Sequence, residues 1–228
     1  MAVCNVPQPR LVCAEYFASR VVVEATLLRT RTVRDKDDPE GVAAFVYSLR
    51  ADRVLRGDIA AQFQIYEGND SGRATFDWKA GQQYLLFLLN SEHANLWALD
   101  GCGNSGPLNG AKAVLAQINA IRGHRDTGAI HGMVSGEALS APFPGVRVEA
   151  RGSSKRYAAT TNAKGEFQMD VPAGRYTLHA TASGFSFHTA DFSYENPQNV
   201  RIEPGGCAQV QFVGDESTAS APGQEHKQ

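Results

Sequence analysis

Residues 165–178 read Gly165-Glu166-Phe167-Gln168-Met169-Asp170-Val171-Pro172-Ala173-Gly174-Arg175-Tyr176-Thr177-Leu178. Two alternating runs flank a Pro-Ala-Gly turn. Phe167, Met169 and Val171 share one face of the first run; Glu166, Gln168 and Asp170 share the other. Tyr176, Leu178 and Ala180 repeat the pattern after the turn. A period of two is what a strand needs when one face meets a core and the other meets water. Proline and glycine between the runs reverse the chain. The stretch reads as two half-buried strands separated by a tight turn, and it decides the class of the second half of the chain.

The same signals extend outward from it. Val146, Val148 and Ala150 alternate with Arg147, Glu149 and Arg151. Turns recur at Pro144-Gly145, at Asn162-Ala163-Lys164-Gly165 and at Pro204-Gly205-Gly206. Short alternating strands punctuated this often predict an antiparallel β-sandwich of the transthyretin or immunoglobulin type over 129–213. Residues 123–128 read as a polar linker. Residues 214–228 are polar and nearly without apolar side chains, which predicts a disordered tail.

Residues 1–122 carry a different sequence of elements. Val21 to Leu27 is a β-branched run, and Phe45, Tyr47 and Leu49 alternate, as do Phe63 and Ile65. Tyr84-Leu85-Leu86-Phe87-Leu88-Leu89 is continuously apolar, as a strand buried on both faces would be. Leu96 to Leu99 follows. The period then changes: Ala111, Val114, Leu115, Ile118 and Ile121 sit at helical spacing, and Gly123 ends the helix. Strands closed by a terminal helix predict a small OB-like barrel. The chain as a whole is expected to be mainly β, in two domains. Arg34-Asp35-Lys36-Asp37-Asp38-Pro39 reads as a solvated loop, not a carboxylate site.

Composition bounds the function. The 228 residues include 22 basic and 24 acidic side chains, for a net charge of −2. No basic stripe exists, so nucleic acid is not expected as a partner. No run approaches the ~20 apolar residues that span a bilayer. Four cysteines point to an oxidising compartment, secreted or periplasmic. No secretory leader precedes Cys4, and the abrupt start reads as a mature form with an added Met, or as a mis-assigned start.

Catalytic signatures were sought and not found. His131-Gly132-Met133-Val134-Ser135-Gly136 is not a G-x-S-x-G elbow, because its glycines are misplaced. H-E-x-x-H, G-x-x-x-x-G-K-[ST] and G-x-G-x-x-G do not occur. His179 and His188 have no third ligand in reach, so neither metal nor cofactor is expected. The protein is read as not an enzyme. Phe185, Phe187, His188 and Tyr194 form a candidate ligand surface for glycan stacking, with core or turn packing as the plain alternative.

Ile130-His131-Gly132-Met133-Val134, Pro144-Gly145-Val146-Arg147-Val148, Thr160 to Phe167 and Val171-Pro172-Ala173-Gly174-Arg175-Tyr176-Thr177-Leu178, with Gly184-Phe185, closely resemble the carboxypeptidase regulatory-like family, a transthyretin-like sandwich. That resemblance implies a structural appendage without catalytic residues. The first domain is similar to the N-terminal domain of the tissue inhibitors of metalloproteinases, the netrin-like OB barrel. The residues that carry this are Cys4-Asn5-Val6-Pro7, Cys13, Ala18, Val54-Leu55-Arg56-Gly57, Gly81-Gln82-Gln83-Tyr84-Leu85-Leu86-Phe87 and Cys102. Bacterial proteins with this barrel followed by a regulatory-like sandwich exist, and the chain resembles them.

In the inhibitor family an N-terminal Cys is tied to a Cys after the last barrel strand, which implies a Cys4–Cys102 bond. Such a bond closes about 100 residues and stabilises by up to about 4–5 kcal/mol. Cys13 is left with Cys207. Cys207 alternates with Ala208, Val210 and Phe212, so it is expected to point outward with Gln209 and Gln211 and to staple the second domain to the first. Two free thiols or a zinc site are the alternatives, and the spacings fit no zinc pattern. The inhibitors chelate zinc through a free N-terminal Cys in C-x-C. Here Ala2 stands two before Cys4, and Met1-Ala2-Val3 makes the Cys4 nitrogen an amide.

The expectation is therefore a non-enzymatic, exported bacterial binding or scaffold protein of the cell envelope, with a protein or glycan partner. Metalloprotease inhibition through the N-terminal edge of the barrel, and carbohydrate binding by the sandwich, are the alternatives.

Overall fold

The computed structural model describes residues 9–37, 41–70, 72–121, 126–136, 141–191 and 193–216. The chain divides into two compact units, Met1–Arg125 and Asp126–Gln228.

The first unit opens with α1 (Val12–Ala18) and continues with β1 (Val21–Arg34), β2 (Val42–Arg56), β3 (Gln62–Gly68), β4 (Gln83–Asn90), β5 (Trp97–Leu99), β6 (Gly106–Pro107) and α2 (Lys112–Ile121). Strand order is β1-β2-β3-β5-β4-β6, and β1 also pairs with β4. That extra pairing, from Val21 opposite Leu88 to Thr26 opposite Gln83, closes five strands into a barrel. Closure removes the open edges that a flat sheet of this size would carry.

The apolar run in β4 behaves as its sequence predicts, because its two faces have two different partners. Tyr84, Leu86 and Leu88 point into the barrel with Val23, Leu27, Tyr47, Leu49 and Ile65. Leu85 and Phe87 point out and are covered by Val12 and Tyr16 of α1 and Ile118 and Ile121 of α2. The four-residue spacing of Val12 and Tyr16 puts both on one helix face.

The second unit contains β7 (Thr127–Gly136), β8 (Arg147–Arg151), β9 (Arg156–Thr160), β10 (Glu166–Pro172), β11 (Gly174–Thr181), β12 (Phe185–Thr189), β13 (Val200–Ile202) and β14 (Cys207–Glu216). Two four-stranded sheets, β10-β7-β14-β12 and β13-β11-β8-β9, enclose one core that includes Ile130, Val148, Phe167, Leu178 and Val210. The turn chemistry holds the strands in register. Asn162 Oδ1 accepts from the Lys164 and Glu166 amides at 2.8 and 3.0 Å. Gly165 has φ +73°, and a Cβ there would lie 2.3 Å from the Val134 carbonyl oxygen, so only glycine fits. Thr161 Oγ1 accepts from the Val146 amide and donates to the Phe143 carbonyl. Tyr176 fills the core with its ring and donates its hydroxyl to the Pro172 carbonyl at 2.8 Å.

Four expectations need correction. The sandwich is not wholly antiparallel, since β14 runs parallel to β7 from Cys207 opposite Ala129 to Gly214 opposite Gly136. Two of the residues assigned to the linker, Thr127 and Gly128, belong to β7. The tail begins later than residue 214, because β14 continues to Glu216 opposite Phe185. Cys207 does not point into solvent: it is 6% exposed, and Gln209 and Gln211 are as buried as Val210. β14 is an inner strand with both faces covered, so its alternation marks polarity without marking exposure. The Gln209 and Gln211 backbone N–H groups donate to Glu195 Oε2 at 2.7 Å and Ser193 Oγ at 3.0 Å.

Strand periodicity carries no sign of α1, a helix of seven residues. The loop residues Asp38 and Pro39, the helix stop Gly123, and Cys4 to Pro7 lie outside the described residues.

Candidate functional site at the barrel end

Glu67 of β3 organises one end of the barrel. It is 7% exposed, and its carboxylate accepts from the Ala74 amide at 2.9 Å and from Trp78 Nε1 at 3.0 Å. The Tyr47 hydroxyl on β2 donates to it as well. Three donors satisfy a buried carboxylate that would otherwise be costly. They also fix the segment between β3 and β4 against the barrel mouth. Burial, and then the Glu67 charge and hydrogen bond, push the Tyr47 phenol well above its ordinary range. Tyr47 is therefore a neutral donor at any physiological pH.

Aromatic packing completes the wall. Trp78 stacks on Tyr47 with centroids 4.4 Å apart and planes 24° apart. Phe76 lies 5.0 Å from Trp78, and Tyr84 lies 4.7 Å from it. The Tyr84 hydroxyl accepts from the Lys79 amide at 2.6 Å and sits 3.2 Å from the Asp77 carbonyl, which ties down the far end of the segment. Burial raises the Tyr84 phenol too. The Arg73 guanidinium lies over the Phe45 ring at 5.2 Å, a cation–π contact.

Phe45, Tyr47, Glu67, Arg73, Phe76 and Trp78, with Thr30, Asp77 and Lys79, line an open cleft of about 470 Å³. That is within the usual range for ligand sites. Among the lining residues the buried carboxylate, Glu67, is engaged by three donors, and no nucleophile lies beside a base. The cleft offers aromatic faces, one stacked guanidinium and one exposed lysine.

Strand periodicity alone did not identify this site. Phe45, Tyr47 and Tyr84 were legible as strand residues, but Glu67, Arg73, Phe76 and Trp78 carry no motif. A Trp between charged residues in Phe76-Asp77-Trp78-Lys79 was the one available signal.

The proposed glycan surface is placed differently. Phe185 and Phe187 pack edge-on against Phe143 at 4.6 and 5.7 Å, and Phe187 joins the sandwich core. His188 alternates to the opposite face, where Nδ1 lies 3.1 Å from Asp215. Tyr194 is half-buried on the segment after β12. The three Phe and His side chains do not share one exposed plane.

A second polar cluster fixes the start of the chain. Glu15 of α1 is 1% exposed, and its Oε2 accepts from the Asn104 amide at 2.7 Å and Asn104 Nδ2 at 2.6 Å. Arg10 is paired with Asp100, and Asp100 Oδ1 accepts from the Cys102 amide at 2.9 Å. Burial raises the Glu15 carboxyl above its ordinary value despite the Asn104 bonds. Cys13, Cys102 and Cys207 are all disulfide-bonded. Among the described residues no group of His, Cys, Asp and Glu is arranged to hold a metal ion.

One part of the chain is similar to a known family. Residues 129–213 match the carboxypeptidase regulatory-like domain. The regulatory-like domain thus coincides with the sandwich, from β7 to within three residues of the end of β14. No curated protein matches the chain. Solved structures match at low similarity. A minor pilin of Streptococcus agalactiae is 13% identical over 90% of this chain and 87% of its own, with a TM-score of 0.32. A C-terminal fragment of a pilus adhesin from Lactobacillus rhamnosus GG is 10% identical over 97% and 96%, with a TM-score of 0.30. A 3-chlorocatechol 1,2-dioxygenase from Rhodococcus opacus is 12% identical over 40% of this chain and 60% of its own, with a TM-score of 0.30. The chain thus spans less than two thirds of that dioxygenase. Among the described residues no helix is long and apolar enough to cross a membrane.

Proposed function

We propose that the protein is an exported, non-catalytic binding protein of the cell envelope, and that the cleft at the barrel end is its ligand surface. The carrying observation is the cleft itself: four aromatic rings and a stacked arginine held open by a carboxylate engaged in fixing them. Export is supported by the bonded state of Cys13, Cys102 and Cys207, since disulfides persist in oxidising compartments. Cys13–Cys207 and Cys4–Cys102 are the pairings we propose. The netrin-like reading of the barrel belongs to the same proposal. It is supported by the five-strand closure, the two helices on β4 and a bonded Cys102 placed before α2. The regulatory-like domain serves as a rigid appendage.

The test uses oxidised, full-length protein made with an export signal. Non-reducing peptide mass spectrometry should find the Cys13–Cys207 peptide pair; free thiols would remove the export argument. Trp78 emission is then followed during titration with an acidic peptide, a basic peptide and a neutral oligosaccharide, with Trp78→Phe as the control for Trp97. A saturable change lost in the control supports the cleft. No response to any of the three overturns it.

A further inference from the structure

The barrel leaves half of β1 without a neighbour on one side. β4 pairs with β1 only as far as Thr26, and the last bonds on that side are those of Leu27 with Gly81 and Gln82. On the other side β2 follows β1 out to Arg34 opposite Val42. Among the described residues, no strand pairs with the outer edge of β1 beyond this point. The open stretch reads Leu28-Arg29-Thr30-Arg31-Thr32-Val33. It is exposed as far as Thr32, with Leu28 at 41%. It is already extended and rich in β-branched residues, which is the form an added strand needs.

The two faces of this stretch differ. Thr30 lies opposite Tyr47 and Thr32 opposite Phe45, so both are on the cleft side, and Thr30 lines the cleft. Arg29 and Arg31 alternate to the other face. Elsewhere on the same ribbon, arginines have carboxylate partners: Arg53 with Glu24 at 3.3 Å and Arg50 with Asp52 at 2.9 Å. Among the described residues, Arg29 has only the Ser48 hydroxyl at 3.4 Å, and Arg31 has no carboxylate partner.

We propose that the outer edge of β1 over Leu28–Val33 is a strand-addition site for an extended acidic segment of a partner protein. This rests on the reading of the barrel end as the ligand surface, and it names the occupant. Backbone hydrogen bonds come from the open edge. Carboxylates at alternate positions, about 6.7 Å apart on a strand, match Arg29 and Arg31. The intervening side chains fall toward Thr30, Phe45 and Trp78. A second copy of the same edge is disfavoured, because it would set arginine against arginine. Asp35 and Asp37 at the hairpin end repel an acidic partner and confine the site to the stretch before them.

The experiment is fluorescence polarisation with oxidised, full-length protein at low salt. The probe is a labelled hexapeptide, Glu-Phe-Glu-Val-Glu-Thr, compared with a version carrying Lys for Glu and one N-methylated at alternate amides. The acidic peptide should bind, and Arg29→Glu with Arg31→Glu should weaken it at least tenfold. N-methylation should abolish binding, and amide exchange should slow across Leu28–Val33. Arg31→Gln provides a milder variant should the double reversal fail to fold. Equal binding by the charge-reversed variant, or by the N-methylated peptide, overturns the proposal. So does concentration-dependent dimerisation through this edge. A Trp78 response to the oligosaccharide without peptide binding overturns strand addition and leaves the cleft standing. No Trp78 response to any probe overturns both.

Discussion

Gly57 and Glu15 illustrate how single residues hold the first unit together. Gly57 follows β2 with φ +73°, and a Cβ there would stand 2.3 Å from the Arg20 carbonyl oxygen. The residues before it are equally committed. Leu55 is buried, and Arg56 donates to the Ser19 and Phe17 carbonyls at the end of α1 while lying over the Tyr16 and Phe17 rings. Gly57→Ala should cost about 2–3 kcal/mol, measured by urea unfolding, because it adds left-handed strain to a backbone clash. Glu15 behaves differently, because its effect depends on pH. Burial raises its carboxyl above the ordinary 4.5, so the folded chain holds this proton to a higher pH than the unfolded chain does. The contribution of Glu15 to stability is therefore greatest at acid pH and falls as pH rises through the interval above 4.5. Glu15→Gln keeps an acceptor for Asn104 without the charge. Its urea midpoint should gain on that of the wild type between pH 4.5 and pH 7; parallel midpoints across that range would refute the assignment.

At the scale of elements, the same apolar residues do different work according to what covers them. β4 is buried twice, inside by the barrel and outside by α1 and α2. Ile118, fully buried, is the deepest contact of α2 with that outer face. Ile118→Ala should cost about 2–5 kcal/mol and release the amide-exchange protection of Lys112–Ile121 while leaving that of the regulatory-like domain unchanged. The segment between β3 and β4 depends on Glu67 in the same local way. Glu67→Ala leaves the Ala74 amide, Trp78 Nε1 and the Tyr47 hydroxyl without their acceptor, a loss of about 1–3 kcal/mol for each group left unpaired. Trp78 emission should move to longer wavelength as the segment loosens; an unmoved spectrum would show that stacking on Tyr47 is sufficient.

For the whole molecule, the prediction concerns covalent connection. If Cys13 and Cys207 are paired as proposed, a protease site inserted after Gly123 should yield two fragments that migrate together without reductant and apart with it. Fragments that separate without reductant would leave Cys207 without a bond to the first unit and overturn the pairing. Several strands of each unit, the main turns, the buried run of β4 and the α2 face were legible in the sequence, because alternation and helical spacing are local consequences of which face meets a core. The Pro-Ala-Gly and Asn162–Gly165 turns were legible for the same reason: their backbone geometry demands those residue types. A barrel was expected, but which strands close it, β1 onto β4, was not legible, since pairing across about 60 residues leaves no local mark. Nor was the burial of Gln209, Gln211 and Cys207, because alternation reports polarity and not what lies over the second face. The cleft was the least legible feature. Thr30, Phe45, Tyr47, Glu67, Arg73 and Trp78 come from four separate segments, and only the closed barrel brings them to one end. Sequence thus determined where each strand is apolar; tertiary structure decided which faces are covered and which residues meet, because those depend on long-range packing.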